Sequence, residues 1–264
     1  MKNKKIAIIG AGNMGGAIAV GLLKSGFVPA YDILVSDPKE ENLNEMKALG
    51  ITVCENNNIA VQNADVVILA VKPHLIYDVI DDIEADLTSD KILISVAAGV
   101  EIFEIEEIAG ENISIFRAMP NTAIALQESL TCISSKSKTP EHNAFVVEMF
   151  NKLGLAIEIP EELMAAATVL SSCGIAYALR FMRAMMQGGI EIGFSAEMAQ
   201  FITAQTVKGA SKLILQTGNN PEIEIDKVTT PGGITITGLN EMELNGFSSS
   251  LIQGVLASYK KIEN

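Results

Sequence analysis

The hexapeptide Gly10-Ala11-Gly12-Asn13-Met14-Gly15 follows directly on the apolar run Ile6–Ile9, and it constrains the fold more than any other feature of the chain. Glycines at the first, third and sixth positions of such a turn have separate physical jobs. The first permits the tight turn, the second lets backbone approach a pyrophosphate, and the third lets a helix pack close to a strand. The helix that begins there turns unpaired N–H groups and the positive end of its dipole toward the turn. Gly10, Gly12, Asn13, Met14 and Gly15 are therefore candidates to hold a dinucleotide. Taken alone the pattern also fits a ligand-free glycine turn, and its strand–turn–helix context is what favours the dinucleotide.

The rest of the first half repeats that grammar. Strands are expected over residues 5–9, 33–36, 66–71, 92–96 and 113–116, and helices over 13–25, 39–49, 73–83 and 101–108. The run VVILAV is β-branched throughout, as in a strand buried on both faces. Gly50 stands where a helix-terminating glycine belongs. Alternating strands and helices imply an α/β fold, a Rossmann-type doubly wound parallel sheet. After Pro160 the pattern changes to Ala, Met and Leu at helical spacing over residues 163–183, 196–217 and 236–259, with a break at Gly246. The expected organisation is a dinucleotide-binding domain, residues 1–160, followed by an all-α domain, residues 161–264. Helices apolar nearly all round must be buried from several sides, so the second domain is expected to pair with another copy.

Charge narrows the partners. Lys and Arg total 19 against 32 Asp and Glu, a formal net charge of −13. Such a surface repels nucleic acid and anionic membranes, so an anionic cofactor must be held by local amides and a few cations. The cysteines Cys54, Cys132 and Cys173 are far apart and odd in number, and the histidines are His74 and His142. A disulfide framework and a metal site are not expected. The start, MKNKK and then IAIIGAGNMGGAIAVGLL, imitates a secretory leader, but glycines break its apolar run. No uninterrupted apolar stretch approaches the roughly 20 residues of a bilayer span, and a cytoplasmic location is expected.

Other candidates sit at strand ends, the edge where open α/β sheets bind ligands. Asp37 lies about 20 residues past the last glycine, where an acid takes the ribose hydroxyls of NAD. Asp37 before Pro38 also reads as a helix N-cap. A carboxylate repels a 2′-phosphate and leans toward NADH, whereas Ser36 and Lys39 suit the phosphate. Ala70, Val71, Lys72 and Pro73 end the buried run, with Lys72 either a cation at the crevice or a solvated side chain. His74 reads as a surface or capping residue. Small residues in Ala97-Ala98-Gly99-Val100 and in Arg117-Ala118-Met119-Pro120-Asn121-Thr122 permit close approach of a nicotinamide ring. Asn121 and Thr122 add neutral hydrogen bonds. In the helical half, Thr230-Pro231-Gly232-Gly233-Ile234-Thr235 places a turn at a helix start. It is either a plain capped turn or a nest for a carboxylate.

Together these segments resemble the pyrroline-5-carboxylate reductases. The resemblance runs in one order along nearly the whole chain: IIGAGNMGGAIAVGLL, ADVVILAVKPH, SVAAGV, FRAMPNT, AQTVKGASKLILQTG and VTTPGGITITGL. It implies reduction of a cyclic imine carboxylate, 1-pyrroline-5-carboxylate, to proline by NADPH or NADH. It also implies a Rossmann domain, a helical dimerisation domain, and oligomers of intertwined dimers. It places Asn57 near the adenine ribose, Ala70 to Pro73 along the cofactor and Ala98 beside the nicotinamide. It assigns the substrate carboxylate to Thr230 and the amides of Gly233, Ile234 and Thr235, with Asn121 on the substrate side. The Thr235 hydroxyl meets the imine nitrogen.

The chain departs from the family pattern in Ser171-Ser172-Cys173-Gly174-Ile175-Ala176-Tyr177, in Ala123 after the AMPNT segment, and in Arg183-Ala184-Met185-Met186-Gln187-Gly188-Gly189. A β-hydroxyacid dehydrogenase shares the two-domain plan, but the catalytic lysine of that group has no counterpart between Gly174 and Arg183. A dinucleotide sensor without turnover is the non-enzyme alternative.

Overall fold

The computed structural model describes residues 4–263 and the side chains of residues 4–262. The first elements are β1 (Ile6–Ile9), α1 (Asn13–Ser25), β2 (Ile33–Ser36), α2 (Glu40–Ala48), β3 (Thr52–Val53), α3 (Asn57–Gln62) and β4 (Val66–Leu69). Then come α4 (Ile76–Ile83), β5 (Ile92–Ser95), α5 (Ile102–Ala109), β6 (Ser114–Met119), β7 (Ser129–Lys136), α6 (Pro140–Asn151) and β8 (Gly154–Glu158). The strands form one eight-stranded sheet in the order β3-β2-β1-β4-β5-β6-β7-β8. The chain winds outward from β1 in one direction to β3, then returns to start again at β4 on the other side.

Period-two alternation divides the core. Ile6, Ile8, Ile33, Val35, Ile68 and Ile94 face one layer, packed on Ile18 and Leu22 of α1 and Phe145 and Met149 of α6. Ala7, Ile9, Leu34, Val67, Leu69 and Leu93 face the other, packed on Ile76 and Ile80 of α4 and Ile105 of α5. Helices on both faces explain why these strands read as continuous apolar runs. The stretch resembling a leader folds as β1, the glycine turn and α1, although Met1 to Asn3 lie outside the described residues. Gly50 ends α2 at φ 77°.

The sheet departs from expectation beyond β6. β6 and β7 pair antiparallel, with Arg117 opposite Ser134, whereas repeated β–α units imply a wholly parallel sheet. The reason is the connection. A short 3-10 turn over Thr122–Leu126 and a left-handed Gln127 at φ 61° reverse the chain without a crossover helix. Residues 122–160 carry no legible element signal, because SLTCISSK mixes apolar and hydroxyl residues and offers no clean buried run. β4 is also shorter than its apolar run, and Ala70 and Val71 leave the sheet.

One compact unit holds the chain up to Cys173 together with the segment from Tyr259, and Gly174–Ser258 forms the other. In the first, α7 (Met164–Ala167) runs into a π-helical segment, Thr168–Cys173. In the second are α8 (Gly174–Glu191), α9 (Ala196–Thr217), α10 (Pro221–Val228), α11 (Ile234–Leu244) and most of α12 (Phe247–Glu263). α8 packs on α9 where Gly189 meets Ala199, and on α12 through Phe181 against Phe247 at 6.1 Å. Gly246, at φ 79°, separates α11 from α12. Neither α8 nor α11 has a buried residue. The continuous helical run Glu161–Glu191 is long and apolar enough to cross a membrane by length and composition, with 22% of its most apolar window buried. This goes beyond the expectation from uninterrupted runs, because Ala, Gly and Ser spacers keep that window apolar on average.

Lys91, 8% exposed, donates through Nζ to the carbonyls of Val61 at 2.9 Å and Ala64 at 2.5 Å. It thereby closes the C-terminal end of α3, where carbonyls lack helical partners. Lys91→Met keeps the apolar stem and removes the donor. Urea unfolding should show a loss of about 1.5–3 kcal/mol; unchanged stability would mean that water satisfies both carbonyls.

Candidate active site

The parallel register aligns the strand ends. Ile9 lies beside Ser36 and Leu69, and Leu69 beside Ser95. Hydrogen bonds tie the loops that leave them: Gly10 N to Ser36 O at 2.8 Å, Ala70 N to Ile9 O at 2.8 Å and Val96 N to Leu69 O at 3.1 Å. The residues singled out at Gly10 to Gly15, Ser36, Asp37, Asn57, Ala70 to Pro73 and Ala98 thus gather along one edge, at the reversal of strand order around β1. That crevice is where open α/β sheets bind ligands.

Within the turn the glycines differ. Gly10 has φ 96°, and a Cβ there would lie 2.8 Å from the Ala70 carbonyl. A Cβ on Gly15 would lie 1.8 Å from the Gly10 carbonyl, so α1 can start this close only with hydrogen at that position. Gly12 has φ −67° and nothing within 4 Å of its Cβ position. It has neither a steric nor a conformational need for glycine in the protein itself. Its open side faces outward at the N-cap of α1, which no side chain caps. A pyrophosphate group fits that cradle.

Asp37 is not the N-cap of α2; Lys39 is. Asp37 Oδ2 accepts the Ala11 N–H at 2.7 Å and Oδ1 accepts the Lys39 N–H at 2.8 Å. Ser36 is 2% exposed and its hydroxyl donates to Asn57 Oδ1 at 2.7 Å. Lys72 and His74 are exposed where β4 ends.

Past the end of β5, Ala98 packs on the small cluster Met119, Cys132 and Met164. Burial pushes the Cys132 thiol up, against a smaller opposing effect of Ser171, so it stays protonated and packs as an apolar group. Asn121 is 8% exposed and its side chain is engaged: Oδ1 accepts the Ala123 N–H and Nδ2 donates to the Ser171 carbonyl at 3.1 Å. It pins the π-helical segment, within the stretch that departs from the family pattern. The FRAMPNT segment gives Arg117 no role of its own, and Glu161 stands outside every motif. Arg117 Nη1 and the Ile102 N–H both meet Glu161 Oε1 at 2.8 Å, fastening β6 and the start of α5 to one carboxylate. The sequence signal was a charged residue inside an otherwise apolar strand.

In the second unit, the Gly233 N–H closes the turn on the Thr230 carbonyl at 2.9 Å, so that amide is already used. Gly232 takes φ 68°. The Thr230 hydroxyl lies over Gly233, 2.4 Å from where a Cβ would be. α11 begins at Ile234 with no side-chain cap, and Ile234 is 92% exposed. Thr230 and Thr235 are exposed. The Ile234 and Thr235 amides therefore belong to an open helix N-terminus.

Comparison with known proteins now bears on these two sets of residues. Residues 161–264 match the family described as pyrroline-5-carboxylate reductase dimerisation, and residues 5–99 match NADP oxidoreductase coenzyme F420-dependent. Pyrroline-5-carboxylate reductase 2 of Dictyostelium discoideum is 40% identical over 98% of this chain and 92% of its own length. The chain belongs to the pyrroline-5-carboxylate reductase family. Pyrroline-5-carboxylate reductase 1 of the same organism is 42% identical over 97% of this chain, which spans 49% of that protein's length. The Plasmodium falciparum pyrroline carboxylate reductase structure, with NADP bound, superimposes with a TM-score of 0.92 at 29% identity, covering 99% of this chain and 98% of that one.

The two glycines give a paired test. Gly12→Val should fold and unfold like the parent yet lose dinucleotide binding, because its branches fill open space. Gly15→Ala should cost about 1–3 kcal/mol of stability through overpacking. Unchanged NAD(P)H affinity in Gly12→Val would overturn the cradle.

Proposed function

We propose that this protein reduces 1-pyrroline-5-carboxylate to proline with NADPH or NADH, the last step of proline synthesis. The observation that carries this reading is the pairing, in a chain of this family, of an open glycine cradle at Gly12 with an uncapped helix start behind Pro231-Gly232-Gly233. Residues 1–160 serve as the dinucleotide-binding domain in this reading, and residues 161–264 as the dimerisation and substrate-binding domain.

The reaction adds hydride to the imine carbon and a proton to its nitrogen. When bound, the dinucleotide supplies the hydride. The amides at the start of α1 hold its pyrophosphate, and the small side chains of Ala97 and Ala98 leave room for a flat ring. The Ile234 and Thr235 amides and the Thr230 hydroxyl hold the carboxylate, with Gly233 locking the turn. The Thr235 hydroxyl donates a hydrogen bond to the ring nitrogen. The protein's main contribution is position, since correct alignment removes much of the entropic barrier.

We also assign the apolar surface of α8, α9, α11 and α12 to contact with a second copy, in intertwined dimers. Phe201, Leu215 and Leu244 are 68%, 81% and 81% exposed in the single chain, and large apolar side chains left open on a helical surface suit an interaction face. Free Cys54, Cys132 and Cys173 suit a reducing, cytoplasmic setting.

Oxidation of NAD(P)H upon addition of pyrroline-5-carboxylate tests the activity; no turnover with either cofactor would overturn it. Thr235→Ala should lower kcat and Thr230→Ala should mainly raise KM, each by roughly ten- to a hundredfold, for a lost hydrogen bond of about 1.5–3 kcal/mol. Thr235→Ser should retain most of the rate. Wild-type turnover in Thr235→Ala would mean that water or the substrate's own protonation supplies the proton. Light scattering should give a mass of at least two chains, and a monomer at micromolar concentration would refute the interface.

A further inference from the structure

We propose that Glu161 is a positioning residue for hydride transfer: by holding the first amide of α5 it fixes the Ala97-Ala98-Gly99-Val100 loop that bears on the nicotinamide. The inference rests on the dinucleotide reading above. β5 ends at Ser95 and α5 begins at Ile102, so residues 96–101 span the strand edge between them. On the strand side the Val96 N–H donates to the Leu69 carbonyl at 3.1 Å and the Ala97 N–H to the Ser95 hydroxyl at 3.3 Å. On the helix side the Ile102 N–H donates to Glu161 Oε1 at 2.8 Å, across 59 residues of chain. Ala97 and Val100 are buried, and between them Gly99 turns the tip at φ 75°.

The helix itself does not require that bond. Glu101 and Glu104 form a capping box, in which the Glu101 N–H meets Glu104 Oε2 at 2.7 Å and the Glu101 side chain accepts the Glu104 N–H. Water can serve the other first-turn amides of a helix capped in this way. What the Glu161 bond adds is location. It sets the start of α5, and the loop before it, relative to β6. Arg117 holds Glu161 in turn: its buried side chain leaves β6 and puts Nη1 on the same oxygen at 2.8 Å. A charge-assisted bond from a strand inside the sheet makes Oε1 a fixed point. Glu161 opens the short 3-10 turn Glu161–Leu163 that leads into α7. The loop is thus tied to the chain that leaves the sheet. Hydride transfer needs the reacting atoms about 3–3.5 Å apart, and a misplacement of about 1 Å costs on the order of a hundredfold in rate.

Variants of the whole protein separate position from stability. Glu161→Leu with Arg117→Met removes both bonds and leaves no buried charge unpaired, an exchange that folded proteins often tolerate. Single-turnover hydride transfer from the bound cofactor should slow by about tenfold or more, while NAD(P)H affinity, set at the glycine turn, changes by less than about threefold. In the cofactor-free protein, amide hydrogen exchange over residues 96–104 should quicken. Glu161→Gln with Arg117→Met returns an uncharged acceptor to the Ile102 N–H and should recover most of both losses. Unchanged transfer and exchange in the first pair overturn the proposal. Failure of glutamine to recover them also overturns it, since the ion pair and not the amide bond would then be what matters. Loss of cofactor affinity in step with the rate leaves Glu161 a structural role alone. Should the first pair fold poorly, Ile102→Pro deletes the donor and keeps the Arg117–Glu161 pair. Proline is accepted at the first helical position, and Glu101 at ψ 157° already has the extended backbone that must precede it. Ile102→Pro should show the same slowed transfer, and wild-type transfer there overturns the proposal. A wild type that reduces no imine removes the proposed reaction and this inference with it, a failure distinct from those above because they require a wild type that turns over.

Discussion

Helix α1 begins so close to the end of β1 that position 15 has no room for a carbon atom. The Gly10 carbonyl stands 1.8 Å from where a Cβ would be. Much of the site follows from that contact. It brings the first amides of α1 against the end of β1, between the loops that leave β2 and β4. It also forces Gly10 into a positive φ, because only then does the chain turn fast enough to enter the helix. Gly12, between these two crowded positions, has nothing within 4 Å of its Cβ position, so the turn leaves one bare backbone face open. A ligand rich in negative charge meets fixed dipoles there and needs no rearrangement of the chain.

This local design answers an electrostatic problem. A protein with a net charge of −13 presents an unfavourable field to any dinucleotide. Backbone dipoles act at short range, where the field of distant carboxylates is largely screened. The same reasoning explains why one carboxylate at the wrong distance matters more than the total. Asp37 lies inside that short range of the glycine turn, fixed by the Ala11 and Lys39 amides.

A second constraint operates where β6 meets α5. Arg117 is 5% exposed, and burying a guanidinium requires a partner. Glu161 provides it and also accepts the first amide of α5. One carboxylate thus steadies both the strand before the Asn121 turn and the helix after the Ala98 loop. Asn121 extends the arrangement by bonding the Ser171 carbonyl inside the π-helical segment. Asn121, in a segment that matches the family pattern, thus holds Ser171, the first residue of a stretch that departs from it.

Much of this was legible from residues alone. Gly10 and Gly15 after an apolar run specify a strand, a turn and a helix, because the tight turn and the close helix start need hydrogen at those two places. The β-branched runs specify strands buried on both faces. Pro231-Gly232-Gly233 marks a helix start. The sequence could not show the reversal at Gln127 that makes β7 antiparallel, since a left-handed residue other than glycine leaves no compositional mark. Nor could it choose between Asp37 as a helix cap and Asp37 as a group beside the glycine turn. Both use the same side chain in the same position, and they differ in whether it meets only a local amide or also a distant one. That amide belongs to Ala11, 26 residues earlier in the chain. It comes within reach because β1 and β2 pair in register, with Ile9 against Ser36. Local rules determined which elements form; contacts between residues far apart in sequence decided which polar atoms were already spent and which were left to bind.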